Sequence, residues 1–364
     1  MAIERLIITG GGTGGHLYPG LAVAKELKRH NPACRIAFVG IKKGLEAKIV
    51  PQEGFELFLV SSTPPRGLFW PLKNAWGLLQ SLAVLSKFSP QLVLGSGGYI
   101  SVPAVAASAL LRIPVVLMEQ NVIPGKASRF LGRFADKICL SFAQSAWGKE
   151  QNKFIVTGNP IRAEILLAKK QESRNIMGIN QDRKCLLVTG ASQGAKSINR
   201  AVLKALPGWK NYPWEVIHLT GSKDFNLVKE SAPALLEGGV LNFRPIEYLA
   251  DMPSAYAAAD LVVSRAGATT LAEITARGLP AVLVPYPYAQ AHQAANAQWL
   301  ADRGGAVILS DDRVENALEV KVIELFEDSE QLKNMGEASL KAGKPNAAND
   351  VLMEMEKAVE RRMK

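Results

Sequence analysis

Short apolar runs rich in Val, Ile and Leu alternate with stretches of helix length from one end of the chain to the other. This is the grammar of parallel sheets covered by helices. In the first half the strand-like runs fall at 5–9, 35–39, 55–60, 91–94, 114–118, 137–140 and 154–157. A polar, charged stretch around Lys169 to Lys184 interrupts the pattern, which restarts at 185–189 and continues at 215–219, 241–243, 261–264, 281–284 and 306–309. The restart predicts an α/β protein of two Rossmann-like domains, 1–161 and 162–343, with parallel sheets facing a central cleft that receives the loops from the strands' carboxyl ends. The tail repeats apolar residues at Val351, Leu352, Met355, Val359 and Met363, so 344–364 reads as a helix with one buried face that joins the first domain.

The loop after the first run is Gly10-Gly11-Gly12-Thr13-Gly14-Gly15-His16. Glycines allow tight turns and close backbone approach, and the amides at the start of the next helix point at whatever charge sits there, so phosphate is the expected guest. Gly10-x-Gly12-x-x-Gly15 also fits the dinucleotide fingerprint. That reading wants an acidic residue closing the second strand, where this chain has Gly40-Ile41-Lys42-Lys43, which makes an oxidoreductase the lesser alternative. The second half opens in the same way, with 185–189 running into Gly190-Ala191-Ser192-Gln193-Gly194-Ala195. A further glycine turn, Gly95-Ser96-Gly97-Gly98-Tyr99, follows the run at 91–94. Three such loops suggest a ligand with more than one phosphate.

Apolar residues make up 48% of the 364 and charged residues 21%, the profile of a folded soluble protein. Cys34, Cys139 and Cys185 are widely separated and lie in or beside apolar runs, which predicts reduced core thiols. Neither they nor the histidines have metal-ligand spacing, so no metal and no cofactor is expected. The N-terminal apolar run is too short for a secretory signal, and the tract 102–118 is cut by Arg112 and Pro114, so a cytoplasmic protein without a membrane span is expected. Lys and Arg outnumber Asp and Glu by 43 to 33, and an excess of +10 suits a phosphate-bearing partner or an anionic membrane surface. The basic residues are scattered, with no arginine-rich helix, so no nucleic-acid partner is expected.

Several strand ends carry groups capable of chemistry. His16 stands at a helix start, where the positive terminus favours a neutral imidazole able to accept a proton; the alternative is a histidine that only packs or caps that helix. Glu119-Gln120-Asn121 follows the run at 114–118 and brings a carboxylate and two amides to the same sheet edge, groups suited to sugar hydroxyls. In the second half, Ser264-Arg265-Ala266-Gly267-Ala268-Thr269-Thr270-Leu271-Ala272-Glu273 has small residues that let a ligand approach a helix N-terminus. Glu273, one turn in, can accept two hydrogen bonds from a ribose diol, or can simply complement the helix dipole. The loop and helix at 285–296 are rich in amide and aromatic groups and look like a sugar-binding rim. With no P-loop present and no hydrolase nucleophile turn assigned, kinase and hydrolase chemistry are set aside, and a nucleotide-sugar glycosyltransferase of the GT-B type remains.

Gly11 to His16 with Pro19, Gly97-Gly98-Tyr99, Glu119-Gln120-Asn121, Gly158-Asn159-Pro160-Ile161-Arg162, Gly190 to Ala195 and Gly267 to Glu273 stand in the order of one family's motifs along essentially the whole chain. The sequence resembles the MurG family. These are bacterial N-acetylglucosaminyltransferases that convert lipid I to lipid II in peptidoglycan synthesis. The resemblance implies UDP-N-acetylglucosamine as donor, the muramoyl 4-hydroxyl of lipid I as acceptor, and inversion at the anomeric carbon. It places Thr13, Gly14, Gly15 and Asn121 near the donor, His16 beside the acceptor hydroxyl, and Gly97, Gly98, Tyr99 and Glu119 at the acceptor. It also places Arg162 and Ser192 at the donor's phosphates or sugar, Ile246 beside the uracil, Ala268, Thr269, Thr270 and Leu271 along the nucleotide, Glu273 on the ribose and Gln293 on the N-acetylglucosamine hydroxyls. A glycolipid synthase acting on diacylglycerol and a sugar-nucleotide epimerase are the alternatives of the same fold.

The segment 66–79 is apolar and aromatic, with Arg66 and Lys73 in it, and suits a membrane interface as well as a buried helix. For a lipid-linked acceptor both hold if one face packs inward while Phe69, Trp70 and Trp76 reach lipid. The expectation is a peripheral enzyme on the cytoplasmic face of the membrane.

Overall fold

A computed structural model describes residues 3–143, 147, 152–190, 194–288 and 292–363. The chain forms two compact units, Met1–Arg162 with Lys344–Lys364, and Ala163–Gly343. Arg162, expected to open the second domain, closes the first unit, and its guanidinium lies over the Tyr18 ring, 5.1 Å from the centroid.

In the first unit the elements run β1 (Arg5–Thr9), α1 (Gly14–His30), β2 (Arg35–Gly40), α2 (Glu46–Gln52), β3 (Glu56–Leu59), α3 (Trp70–Phe88), β4 (Leu92–Gly95), α4 (Ser101–Leu110), β5 (Val115–Glu119), α5 (Lys126–Leu131), β6 (Lys137–Leu140) and β7 (Phe154–Val156). The strands form one parallel sheet in the order β3-β2-β1-β4-β5-β6-β7. Both faces are covered, so the central strands are apolar throughout rather than alternating. Leu6 and Ile8 pack with Leu17, Leu21 and Leu27 of α1 on one face. On the other, Ile7 and Val93 meet Leu85 and Phe88 of α3 and Ala104 of α4.

The second unit runs α6 (Ala163–Leu167), α7 (Lys170–Ile176), β8 (Cys185–Thr189), α8 (Lys196–Trp209), β9 (Glu215–Leu219), α9 (Phe225–Leu235), β10 (Asn242–Ile246), α10 (Met252–Ala258), β11 (Leu261–Ser264), α11 (Ala268–Ala276), β12 (Ala281–Leu283), α12 (His292–Ala301), β13 (Ala306–Ile308), α13 (Val314–Glu327) and α14 (Ser329–Ala342). Its parallel sheet has the order β10-β9-β8-β11-β12-β13. The last helix, α15 (Ala347–Met363), returns to the first unit, where Val351, Leu352, Met355 and Val359 join the α1 face of the core.

Every strand foreseen in the pattern is present, with ends shifted by a residue or two. β10 differs most, because it continues through Pro245 to Ile246. It is an edge strand, and a proline without an N–H is tolerated there. The three cysteines are free and buried, and burial pushes the thiols up, Cys34 to about 11 and Cys139 and Cys185 to about 12. At neutral pH they are inert core residues.

In each sheet the strand order reverses once, between β1 and β4 and between β8 and β11. Ligands of open α/β sheets bind outside the carboxyl ends of the strands at such a reversal. The loops that follow these four strands are the glycine-rich and small-residue segments singled out above.

Candidate active site

In the first unit the loops after β1 and β4 are packed backbone to backbone. A Cβ on Gly10, whose φ is +139°, would lie 2.3 Å from Ser96 Oγ and 2.9 Å from the Gly97 carbonyl. The Ser101 hydroxyl ties both loops down, reaching the carbonyls of Thr9 at 3.0 Å and Gly97 at 2.9 Å. Thr13 is the N-cap of α1, yet its hydroxyl makes no cap bond and the residue is exposed, next to half-buried Gly14 and exposed Gly15. His16 follows within the first helical turn. Its imidazole lies on the Gly97–Gly98 backbone, so that a Cβ on Gly97 would sit 2.7 Å from Nδ1. The same Nδ1 is 3.1 Å from Gln120 Oε1, and Gln120 Nε2 donates to the Ser96 carbonyl at 2.9 Å.

One amide of the first glycine loop is already engaged within the protein. Gly12 N–H donates to Glu46 Oε2 at 2.8 Å, and Ile41 N–H donates to Glu46 Oε1 at 3.0 Å. Glu46 is fully buried, and three glycines make room for it: a Cβ on Gly11, Gly40 or Gly44 would come within 2.4 Å of its side-chain atoms. The Gly12 amide is thus held by the protein's own carboxylate.

Glu119 is turned inward too. Its oxygens accept from the Asn121 amide at 2.9 Å, the Asn121 side chain at 3.2 Å and the Gly125 amide at 3.1 Å, so it shapes the loop after β5 instead of facing a hydroxyl. Burial, with the Glu46 charge adding to it, pushes the Tyr99 phenol up and keeps it a donor. The Tyr99 carbonyl accepts from Ser62 Oγ at 3.0 Å, and Ser62 and Thr63 are held by Asn74 of α3. Gly77 lets α3 close onto this segment, since a Cβ there would overlap the Ser61 carbonyl. Gly77, Ser81, Leu85 and Phe88 are the buried face of α3. Leu68, Phe69, Trp70, Leu72 and Trp76 are exposed, with Phe69 at 64% and Trp76 at 57%, alongside exposed Arg66 and Lys73.

In the second unit Leu271 N–H closes the first turn of α11 on the Gly267 carbonyl at 2.9 Å, leaving the turn begun by Ala268 directed out of the sheet's carboxyl edge. Thr269 and Thr270 are half-buried, while the Leu271 and Glu273 side chains are buried on the same helix. The Ile246 carbonyl accepts from the Thr220 amide at 3.0 Å. Gln293 Oε1 accepts from the Tyr286 amide at 2.9 Å and so fixes the start of the rim loop. Ser192 lies outside the described residues. Beneath these loops Arg265 acts as a tie, donating to Asp311 Oδ1 at 2.5 Å, Ser197 Oγ at 2.9 Å and the Val284 carbonyl at 3.1 Å. It thereby joins the start of α8 to the loops after β11, β12 and β13.

Residues 6–140 match the Glycosyltransferase family 28 N-terminal domain, and residues 185–351 match the Glycosyltransferase family 28 C-terminal domain. The UDP-N-acetylglucosamine--N-acetylmuramyl-(pentapeptide) pyrophosphoryl-undecaprenol N-acetylglucosamine transferase of Halothermothrix orenii is 41% identical over 96% of this chain and 97% of its own length. The chain belongs to the MurG family. The crystal structure of Acinetobacter baumannii MurG superposes with a TM-score of 0.78 at 27% identity, covering 97% of this chain and 99% of that one. A UDP-GlcNAc 2-epimerase from Neisseria meningitidis bound to UDP-GlcNAc also superposes, with a TM-score of 0.72 over 97% of this chain and 99% of that one, but at 17% identity it shares the fold alone.

With the chain placed in the MurG family, the two units are the Rossmann-like domains of the GT-B class. Gly190, Ser192 and Gly194 do spell the letters of the hydrolase turn G-x-S-x-G, and membership of a glycosyltransferase family is what sets that reading aside. The structure gathers Thr13, Gly14, Gly15, His16, Gly97, Gly98, Tyr99, Glu119 and Asn121 at one sheet edge. It gathers Ile246, Ala268 to Glu273 and Gln293 at the carboxyl edge of the other sheet. Glu46 escaped the sequence reading, and Arg265 entered it only as a member of the 264–273 segment, without its role as a tie. The only sequence sign of Glu46 was its setting, Gly40 and Gly44 on a strand exit followed by a lone acid.

Proposed function

We propose that this chain moves N-acetylglucosamine from UDP-N-acetylglucosamine to the 4-hydroxyl of the muramoyl sugar of lipid I, an undecaprenyl-diphosphate-linked muramoyl-peptide, giving lipid II. The near full-length identity to a relative of that name carries the reading. The loop clusters at both sheet edges supply the groups it needs.

His16 takes the proton of the acceptor hydroxyl, the hydroxyl oxygen bonds to the anomeric carbon, and the bond from that carbon to UDP breaks with inversion. Charge builds on the departing diphosphate, and the helix starts of the second unit, with Arg162 and Ser192, are the candidates to meet it. Glu273 takes the ribose, the backbone at Ile246 reads the uracil, Ala268 to Leu271 line the nucleotide, and the carboxamide of Gln293 recognises sugar hydroxyls with its NH2. Thr13, Gly14, Gly15 and Asn121 approach the donor, while Gly97, Gly98, Tyr99 and Glu119 shape the acceptor side. Among the described residues no helix is long and apolar enough to cross a membrane. The exposed Phe69, Trp70 and Trp76, flanked by Arg66 and Lys73, instead seat the protein peripherally on an anionic leaflet, where the lipid-linked diphosphate lies. The Ser62 bond to Tyr99 joins that aromatic segment to the site loop.

Radiolabelled donor with a short-chain lipid I analogue tests the assignment. Labelled disaccharide product is expected. Transfer to diacylglycerol would show the glycolipid synthase, consumption of donor without acceptor the epimerase, and UDP binding without turnover a regulatory protein.

A further inference from the structure

We propose that Gln120 is a positioning residue that holds His16 in the tautomer with its proton on Nδ1 and its lone pair on Nε2. The inference rests on the reading of His16 as the base. Gln120 is buried, and its Nε2 donates to the Ser96 carbonyl, a group that can only accept. Turning the carboxamide over would set oxygen against oxygen, so Oε1 faces the imidazole. Oε1 also can only accept. The bond at 3.1 Å therefore requires a proton on Nδ1, and a neutral imidazole has only one proton to place. Nε2 is left with the lone pair that a general base needs.

The surroundings keep the ring in this pose. Gly97 has no room for a Cβ, which would fall 2.7 Å from His16 Nδ1 and 2.9 Å from Gln120 Oε1. The carboxylates of the cluster are committed elsewhere, Glu46 to Gly12 and Ile41 and Glu119 to Asn121 and Gly125, and Tyr99 is protonated. His16 is thus oriented by a neutral amide. In a Ser-His-Asp triad the partner of the imidazole is a carboxylate, which sets the tautomer and also stabilises the imidazolium. An amide sets the tautomer alone, so the proton taken from the acceptor is held less firmly and is released more readily.

The test uses the full chain labelled with 15N-histidine, with the His16 signals assigned from their loss in His16→Gln. Long-range 15N–1H spectra of the wild type are expected to show His16 protonated on Nδ1. Gln120→Met removes the acceptor at nearly equal volume, and is expected to give mixed tautomers and to lower kcat on the order of tenfold with the donor KM unchanged, less than the roughly 10² to 10⁴ carried by a general base. Gln120→Glu preserves the packing and is expected to raise the His16 titration midpoint, and with it the acid limb of the rate profile, by about 1 to 3 pH units. A wild-type His16 protonated on Nε2, or the same tautomer and midpoint in wild type and both variants, would overturn the proposal. Full turnover by His16→Gln alongside the expected tautomer would remove the base assignment and leave the Gln120 result standing.

Discussion

Replacing Glu46 probes whether the first glycine loop is shaped by an internal anion. The carboxylate, itself fully buried, accepts two backbone N–H bonds, from Gly12 at 2.8 Å and Ile41 at 3.0 Å. A hydrogen bond to a charged group contributes about 1.5 to 3 kcal/mol. Glu46→Gln keeps one acceptor and turns its NH2 towards the other amide, so a loss of about 1.5 to 3 kcal/mol is expected, and Glu46→Ala, which loses both bonds, roughly doubles it. In a domain of this size each kcal/mol lowers Tm by about 2 to 4 °C, which places the Gln variant roughly 3 to 12 °C below wild type. Gly12 leads directly into Thr13 and His16, and a displacement of about 1 Å at a reacting group can lower the rate about 10²-fold. Scanning calorimetry of the full chain and the transfer assay at a temperature where the variant is folded measure the two effects, and titration with UDP reports on the other unit. UDP affinity is expected to hold while Tm and kcat fall. A Glu46→Gln protein with wild-type Tm and wild-type kcat would refute the reasoning, since the carboxylate would then hold nothing in place.

Three further expectations concern other parts of the molecule. His218 is fully buried and burial lowers it from 6.5 to about 3, so the folded state stays neutral while the unfolded chain protonates below pH 6.5. Its contribution to stability is therefore complete above that pH and declines by about 1.4 kcal/mol per unit as pH falls towards 3, so His218→Gln should lose less stability than wild type between pH 7.5 and 5.5 in urea titrations, and equal losses would contradict the assignment. Glu273→Ala should weaken UDP and UDP-sugar alike by about 1.5 to 3 kcal/mol, whereas Gln293→Ala should weaken only the complete donor; calorimetry with both ligands decides, and equal losses for Gln293→Ala would reject its role. Phe69→Ser with Trp70→Ser should abolish vesicle binding that survives moderate salt in the wild type, and a folded double variant that binds anionic vesicles normally would return the segment to the core.

The alternation of apolar runs and helical stretches determined both sheets, since strands covered on two faces must be apolar along their length and their spacing leaves room for crossover helices. It also determined which loops matter, because parallel strands deliver the segments after them to one edge. The buried cysteines and the one-sided tail helix followed from the same local patterns. The tertiary structure decided what those loops do. Gly12 meets Glu46 across 34 positions of sequence, and His16 meets Gln120 across 104. Neither pairing leaves a periodic signal, because each depends on two loops converging at one sheet edge. For the same reason one amide of a glycine loop that reads as a phosphate cradle proves to hold a carboxylate, and Glu119, which looks outward-facing beside Gln120, turns its oxygens to its own loop. A side chain's direction at a strand end is set by the nearest unsatisfied amide, and which amide is nearest is known only once the chain has folded.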